Sequence, residues 1–228
     1  MAPSHRLNPR YDTRGCVINV LAICGSLRAA SINAALLRAA ARLSPPEMRV
    51  RPLSGIGELP LFNPDLERHR PVPVATYHAE VTSADALLIA SPEYAHGVTG
   101  AIKNALDWLV SFEPFADKPV AVLNTSPRAH HADDALRETL KTMSAVVVEQ
   151  ASVTLPLLGA HLSEDGMVED ATISRTIRGA LEALYSFVVL RKWEHCPAVI
   201  DTAGCRETIA RGIAMGGATG ILAKSISR

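Results

Sequence analysis

The chain has 228 residues, and its 23 lysines and arginines are balanced by 23 aspartates and glutamates, so no excess charge calls for nucleic acid or an acidic surface as partner. Hydrophobic residues make up 48% and aromatic residues only 4%, which suits one sizeable α/β domain with a core of alanine, valine, leucine and isoleucine. No apolar run approaches the ~20 residues needed to span a membrane, and the first 14 residues, which lack a hydrophobic centre, read as a flexible arm rather than a secretory signal.

The first element is a strand from Cys16, rich in valine and isoleucine, broken once by Asn19 and stopped by Gly25. Gly25-Ser26-Leu27-Arg28-Ala29-Ala30-Ser31-Ile32-Asn33 follows, and a helix is predicted over residues 31–43 from the stripe Leu36, Leu37, Ala40 and Leu43. Ser26, Arg28, Ser31 and Asn33 can each hydrogen-bond an oxyanion, and the helix start aims its free amides and positive dipole end at the same spot. Gly25 lets the chain turn off the strand and lets a ligand approach the backbone. The pattern reads as a phosphate site. It is not a Walker loop, which needs Gly-Lys-Ser/Thr, nor the dinucleotide fingerprint, which needs two further glycines. The plainer alternative is an ordinary helix start with Ser31 as N-cap and Arg28 in solvent.

Ser44-Pro45-Pro46 ends this helix, and residues 48–54 form a short second strand whose Arg49 and Arg51 at alternate positions suit a sheet edge. Residues 55–70 are a long loop, of a length often used for function, followed by a helix over 71–84 and an apolar third strand over 85–90. Next comes Ser91-Pro92-Glu93-Tyr94-Ala95-His96-Gly97-Val98-Thr99-Gly100, leading into an apolar helix over 101–112. Leu106, Trp108, Leu109 and Phe112 cover more than one face of that helix, so either a partner chain or the long loop must bury part of it. The fourth strand is expected over 120–125, with Ser126-Pro127-Arg128-Ala129 after it, a helix over 130–143, a fifth strand within 145–155 and a last helix over 171–193.

His130 and His131 adjoin, but consecutive helical residues diverge by about 100°, so a shared metal is not expected. The 4 cysteines, at positions 16, 24, 196 and 205, include no Cys-x-x-Cys pair, and Cys16 and Cys24 on one strand cannot bond each other. A reduced, cytoplasmic chain is the expectation. Strands alternating with helices argue a doubly wound parallel sheet, whose right-handed crossovers bring the loops after the first, third and fourth strands to one edge.

Gly25-Ser26-x-Arg28-x-x-Ser31-x-Asn33 and Pro92-Glu93-Tyr94-x-x-Gly97-x-x-Gly100-x-Ile102-Lys103-Asn104-Ala105-Leu106-Asp107-Trp108 together resemble the NADPH-dependent FMN reductase family, with Ile102 where leucine is usual. Leu59-Pro60-Leu61-Phe62-Asn63-Pro64-Asp65-Leu66 resembles the family's segment between the two motifs. The resemblance implies a flavodoxin-like, five-stranded parallel sheet of order 2-1-3-4-5 with helices on both faces, and FMN at the switch point between strands one and three. It implies a phosphate cradle of Gly25, Ser26, Leu27, Arg28, Ser31 and Asn33, and a ring-edge segment of Pro92, Glu93, Tyr94 and Gly97, with Tyr94 alternatively only a half-buried packing residue. Gly100 is expected to let its helix pack tightly. After the fourth strand the family's glycines are replaced here: Ser126 remains, while Arg128 either balances charge on the reduced ring, binds the 2′-phosphate of NADPH, or lies in solvent. His130 has an equally open role as a surface residue.

By the same resemblance the chain is an NAD(P)H-dependent oxidoreductase of quinone or azo reductase type. It would use FMN and NADPH or NADH, passing two electrons by ping-pong hydride transfer through flavin N5 to a small acceptor. A quinone, an azo compound, a free flavin or a metal oxyanion would serve. No acid–base residue is expected to be catalytic. The alternative is an FMN electron carrier or flavin-sensing module for a protein partner, whose usual acidic surface this neutral chain lacks. The family also implies a homodimer or homotetramer, with Trp108 and Phe112 beside the two-fold axis. The expected layout is an arm over 1–14, a flavodoxin-like domain over 15–192 and an extension over 193–228 that packs on a neighbour, forms a loose helix or is disordered.

Overall fold

A computed structural model describes residues 17–159 and 162–194. Six strands alternate with helices: β1 (Ile18–Cys24), α1 (Ile32–Leu43), β2 (Met48–Pro52), α2 (Val72–Ser83), β3 (Ala86–Ala90), α3 (Gly100–Asp107), β4 (Pro119–Asn124), α4 (His130–Thr142), β5 (Val146–Val147), β6 (Val153–Thr154), α5 (Glu164–Glu169) and α6 (Ala171–Glu194). The sheet order is β2-β1-β3-β4-β5, every pairing is parallel, and β6 pairs with the carboxyl end of β4. This is the expected flavodoxin-like topology.

β1 shows why its sequence is a continuous apolar run. Ile18, Val20 and Ala22 pack into one buried layer, with α1, α5 and α6, while Leu21 and Ile23 pack into the other, with α2, α3 and α4. Successive side chains face opposite sides of a strand, so a strand covered on both faces must be apolar at nearly every position. Asn19 breaks the run because it sits exposed near the strand start, where its amide donates to Asp85 Oδ2 at 2.8 Å and its carbonyl accepts from the Asp85 amide at 2.8 Å.

Three elements differ from expectation. The predicted fifth strand is two short pieces: β5 pairs with the start of β4 and β6 with its end, and a 3-10 turn at Glu149–Ala151 separates them. The apolar helix over 101–112 ends early, at Asp107, because the Trp108 carbonyl accepts from the buried His78 ring of α2 at 2.8 Å and the chain then passes into turns. The short helix α5 was not expected. It is tied to α1 by Arg38 to Glu164 at 2.6 Å and Arg42 to Asp165 at 2.5 Å.

The long loop carries two 3-10 turns, Ile56–Glu58 and Pro64–His69, and folds over α3. Asn104 accepts from the Phe62 amide at 2.8 Å and donates to the carbonyls of Leu59 and Pro60, and Trp108 Nε1 donates to the Pro60 carbonyl at 2.8 Å. The Phe62 ring stands edge-on to Trp108 with centroids 5.1 Å apart. Trp108 is therefore buried by its own chain, at 2% exposure, so it is not a free surface for a partner subunit. Gly100, expected to permit tight packing, has open space where a Cβ would stand.

Residues up to Val189 form one compact unit, and a second begins at Leu190, of which only the end of α6 is described. The predicted arm, the predicted extension beyond Glu194, and Cys16, Cys196 and Cys205 lie outside the described residues. No helix among the described residues is long and apolar enough to cross a membrane.

Candidate functional site

Parallel strands end at one edge of the sheet, and here the loops after β1, β3 and β4 meet there because they are locked to one another pairwise. The Gly25 amide donates to the Ala90 carbonyl at 2.8 Å, and the Thr99 hydroxyl donates to the Gly25 carbonyl at 2.7 Å while accepting from Ile102 N as the N-cap of α3. Thr125 Oγ1 donates to Asn33 Oδ1 at 3.3 Å, joining the β4 and β1 loops. Glu93 Oε2 accepts from the Ala132 amide at 2.9 Å, joining the β3 loop to the start of α4.

Between the three loops lies a cavity of about 290 Å³ lined by Ser26, Arg28, Ser31 and Asn33 on one side, Pro92, Glu93 and Tyr94 on another, and Ser126 and Arg128 on the third. These are nine of the twelve residues expected from sequence. The other three stand elsewhere. Gly25 lies behind the cavity without the left-handed backbone that glycine alone accepts; a Cβ there would come within 2.2 Å of Ser91 Oγ and 2.7 Å of Ser91 Cβ, so glycine is needed where β1 and β3 end together. Leu27 is exposed and leans on Gly57, whose added Cβ would lie 3.1 Å from Leu27 Cδ2. Gly97 closes a two-residue turn with Tyr94, exchanging backbone hydrogen bonds at 2.9 and 3.1 Å. Tyr94 is exposed at the rim and is not a packing residue.

The cavity also uses Ile32, Thr125, Ala129 and Leu158, which sequence reading did not single out. Thr125 adjoins the recognised Ser126. Leu158 arrives only through tertiary structure, because the amides of Leu157 and Leu158 both donate to the Thr125 carbonyl, at 3.0 and 3.1 Å.

The donor set fits a phosphate monoester. Ser31 and Asn33 are buried at the start of α1, where Ser31 Oγ caps the helix by accepting from the Ala34 amide at 3.2 Å. The amides of Ile32 and Asn33, in the first helical turn, have no intrahelical acceptor and point out of the helix end. With Asn33 Oδ1 accepting from Thr125, the amide of that side chain keeps its N–H groups for a ligand, and Arg28 supplies full positive charge. N-cap and phosphate ligand are thus compatible roles for Ser31, not alternatives.

The loops after β1 and β4 share a local design. The Arg28 amide donates to Ser26 Oγ at 3.4 Å and the Arg128 amide to Ser126 Oγ at 3.2 Å, so two Ser-x-Arg turns face one cavity. The loop after β3 is built differently. Ala95 and His96 both have positive φ, 50° and 59°, forming the tight turn closed by Tyr94 and Gly97. Glu93 supplies the cap that α4 lacks from its own Ala129, and its Oε1 meets His96 Nδ1 at 3.1 Å. The Ala132 amide first, and then His96, hold the Glu93 carboxyl below the usual carboxylate range.

A sequence model of the family described as NADPH-dependent FMN reductase matches residues 18–157, which contain all three loops. An NAD(P)H-dependent FMN reductase of Pseudomonas aeruginosa is 34% identical over 177 residues, covering 75% of this chain and 95% of that protein. A probable NADPH:quinone oxidoreductase 1 of Oryza sativa subsp. japonica is 45% identical over 189 residues, covering 76% of this chain and 93% of that one. Among solved structures, the flavoenzyme NAD(P)H:(acceptor) oxidoreductase FerB of Paracoccus denitrificans superposes with a TM-score of 0.66 at 28% identity, over 76% of this chain and 98% of its own.

Proposed function

The chain belongs to the NADPH-dependent FMN reductase family, and from that premise we propose that it oxidises NAD(P)H and reduces a small quinone-like acceptor, with FMN held in the cavity between the β1, β3 and β4 loops. The observation that carries this reading is the meeting of Ser26, Arg28, Ser31 and Asn33 at the start of α1, opposite Pro92, Glu93 and Tyr94, in one cavity of about 290 Å³. That volume is near the low end for cofactor sites, which suits a phosphate and its chain held inside with a flat ring at the mouth.

FMN held there would supply the redox chemistry, two-electron hydride transfer, which asks no acid–base residue of the protein. The protein's part is binding and placement. Ser26, Ser31, Asn33, Arg28 and the first amides of α1 hold the phosphate. The backbone of residues 92–97 supplies the ring edge, held still by the Tyr94–Gly97 turn and by the Glu93 bond to α4. Ser126 and Arg128 stand at the opposite edge. The open mouth lets nicotinamide and acceptor use the same face in turn, which is a ping-pong scheme. Quinones are the first acceptor class, in line with the rice relative, ahead of azo compounds, free flavins and metal oxyanions.

A homodimer belongs to this reading on a changed argument. Trp108 is buried within the chain, and the exposed Leu27, Tyr94 and Leu158 around the site are the apolar groups a second subunit would cover. The half-buried free thiol of Cys24, 3.5 Å from the Ser26 carbonyl, suits a reducing compartment such as the cytoplasm. The test is steady-state NADPH oxidation by FMN-loaded protein with a quinone. Parallel double-reciprocal lines across quinone concentrations are expected. Absence of any NADPH oxidation while FMN stays bound would leave a carrier or sensor instead.

A further inference from the structure

Behind the cavity between the three loops lies a second, far smaller one of about 10 Å³, enclosed by the end of β3, by β4 and by the first turns of α4. Ala129 stands in the wall of both. A space of this size takes one water molecule. The side chains around it are apolar except for Ser91, Asn124 and Asp133. Asn124 is fully used, since its Nδ2 donates to the Ala129 carbonyl at 3.1 Å and its Oδ1 accepts from the Ser126 amide at 3.0 Å.

Asp133 is only half used. Its Oδ2 accepts from Arg137 Nε at 2.7 Å, whereas its Oδ1 is buried and has no hydrogen-bond partner among the described residues. A carboxylate oxygen taken out of water and left unbonded is costly, and such atoms in folded proteins are met by ordered water or an ion. Ser91 also has bonding capacity to spare. Its hydroxyl reaches the Pro92 carbonyl at 3.4 Å and Thr99 Oγ1 at 3.5 Å, both at the long limit for a hydroxyl. The charge of Asp133 is already matched by Arg137, which also donates to Glu149 Oε2 at 2.7 Å. A further cation would therefore sit uncompensated among apolar walls, and a neutral donor is what the cavity calls for. Among the described residues no group of His, Cys, Asp and Glu is arranged to hold a metal ion.

We propose that Ser91 Oγ and Asp133 Oδ1 hold one buried water, which ties the loop after β3 to α4. The water donates to Asp133 Oδ1 and shares its second bond with the Ser91 hydroxyl, which can donate or accept. The loop is then fastened to α4 twice, by this water at Ser91 and by the Ala132 amide at Glu93. A polar chain runs from Ser91 through the water to Asp133, Arg137 and Glu149, joining the end of β3 to the turn that breaks the fifth strand. The inference stands whether or not the larger cavity holds FMN.

The site is tested by a crystal structure of the full-length protein at a resolution that shows ordered water. One peak is expected in the small cavity, at about 2.5–3.0 Å from both Asp133 Oδ1 and Ser91 Oγ. No peak, a metal ion in its place, or Asp133 Oδ1 bonded to a protein group overturns the site. The tie is tested in solution by hydrogen exchange of the Tyr94 and Gly97 amides, read at one fixed flavin content. Ser91→Ala and Asp133→Ala should each speed that exchange about tenfold, and the double variant should exchange no faster than either, because one water is lost only once. Unchanged exchange in either single variant, or effects that multiply in the double variant, overturns the tie.

Discussion

His78 ties the residue scale to pH. Its Nε2 donates to the Trp108 carbonyl at 2.8 Å, its ring stacks on Phe112 at 3.9 Å, and its Nδ1 is buried with no partner. A second proton would have to sit on that partnerless nitrogen, and burial accordingly pushes the His78 imidazole below the usual histidine range. The folded state therefore prefers neutral His78, while the unfolded chain binds a proton near pH ~6.5. Its contribution is fully present above that value and is lost as pH falls below it toward the depressed folded value. Urea midpoints measured at falling pH should decline, and His78→Gln, which keeps a donor for Trp108, should flatten the decline. An identical slope in both proteins would move the pH sensitivity elsewhere. At this scale the gathering of Ser26, Arg28, Ser31 and Asn33 on one side of the cavity was legible from sequence, because four oxyanion donors around a helix start are a local pattern. The reason for Gly25 was not legible, since nothing local reveals Ser91 Cβ standing 2.7 Å from where its Cβ would be.

Among the elements, the turn over Tyr94–Gly97 stores strain that sequence reading missed. Alanine at a φ of 50° pays about 1–2 kcal/mol that glycine does not. Ala95→Gly should raise unfolding stability by about 0.5–1 kcal/mol after the extra chain entropy of glycine. Thermal melts check this, and a lower melting temperature would mean that another contact of the Ala95 methyl outweighs the strain. α3 and its loop make the opposite case. Asn104 fastens the loop by three hydrogen bonds, so Asn104→Ala should cost about 2–3 kcal/mol and expose residues 59–62 to limited proteolysis. Unchanged cleavage would show that Trp108 alone holds the loop. The apolar count of this helix was legible, but which of the two covers, a partner chain or the long loop, was not. The cover is a loop some 40 residues earlier, at Leu59 to Phe62, revealed by the Asn104 and Trp108 Nε1 bonds to its backbone. The broken fifth strand was hidden for a similar reason: its apolar run does not show that Glu149–Ala151 forms a turn between two pairings with β4.

For the whole molecule, topology was the most legible property, because alternating apolar strands and helices admit few arrangements and right-handed crossovers put three loops at one edge. What holds those loops in register, the Thr99, Thr125 and Glu93 hydrogen bonds, depends on side chains whose partners lie far away in sequence. The central claim is that this assembled edge is an FMN site organised by Arg28. It is tested most directly by the FMN dissociation constant, measured from quenching of flavin fluorescence in the wild type and in Arg28→Ala. The account predicts saturable binding by the wild type and a loss of about 1.5–3 kcal/mol in the variant, a factor of about 10 to 150. Equal constants for the two proteins, or no quenching by the wild type, would contradict it.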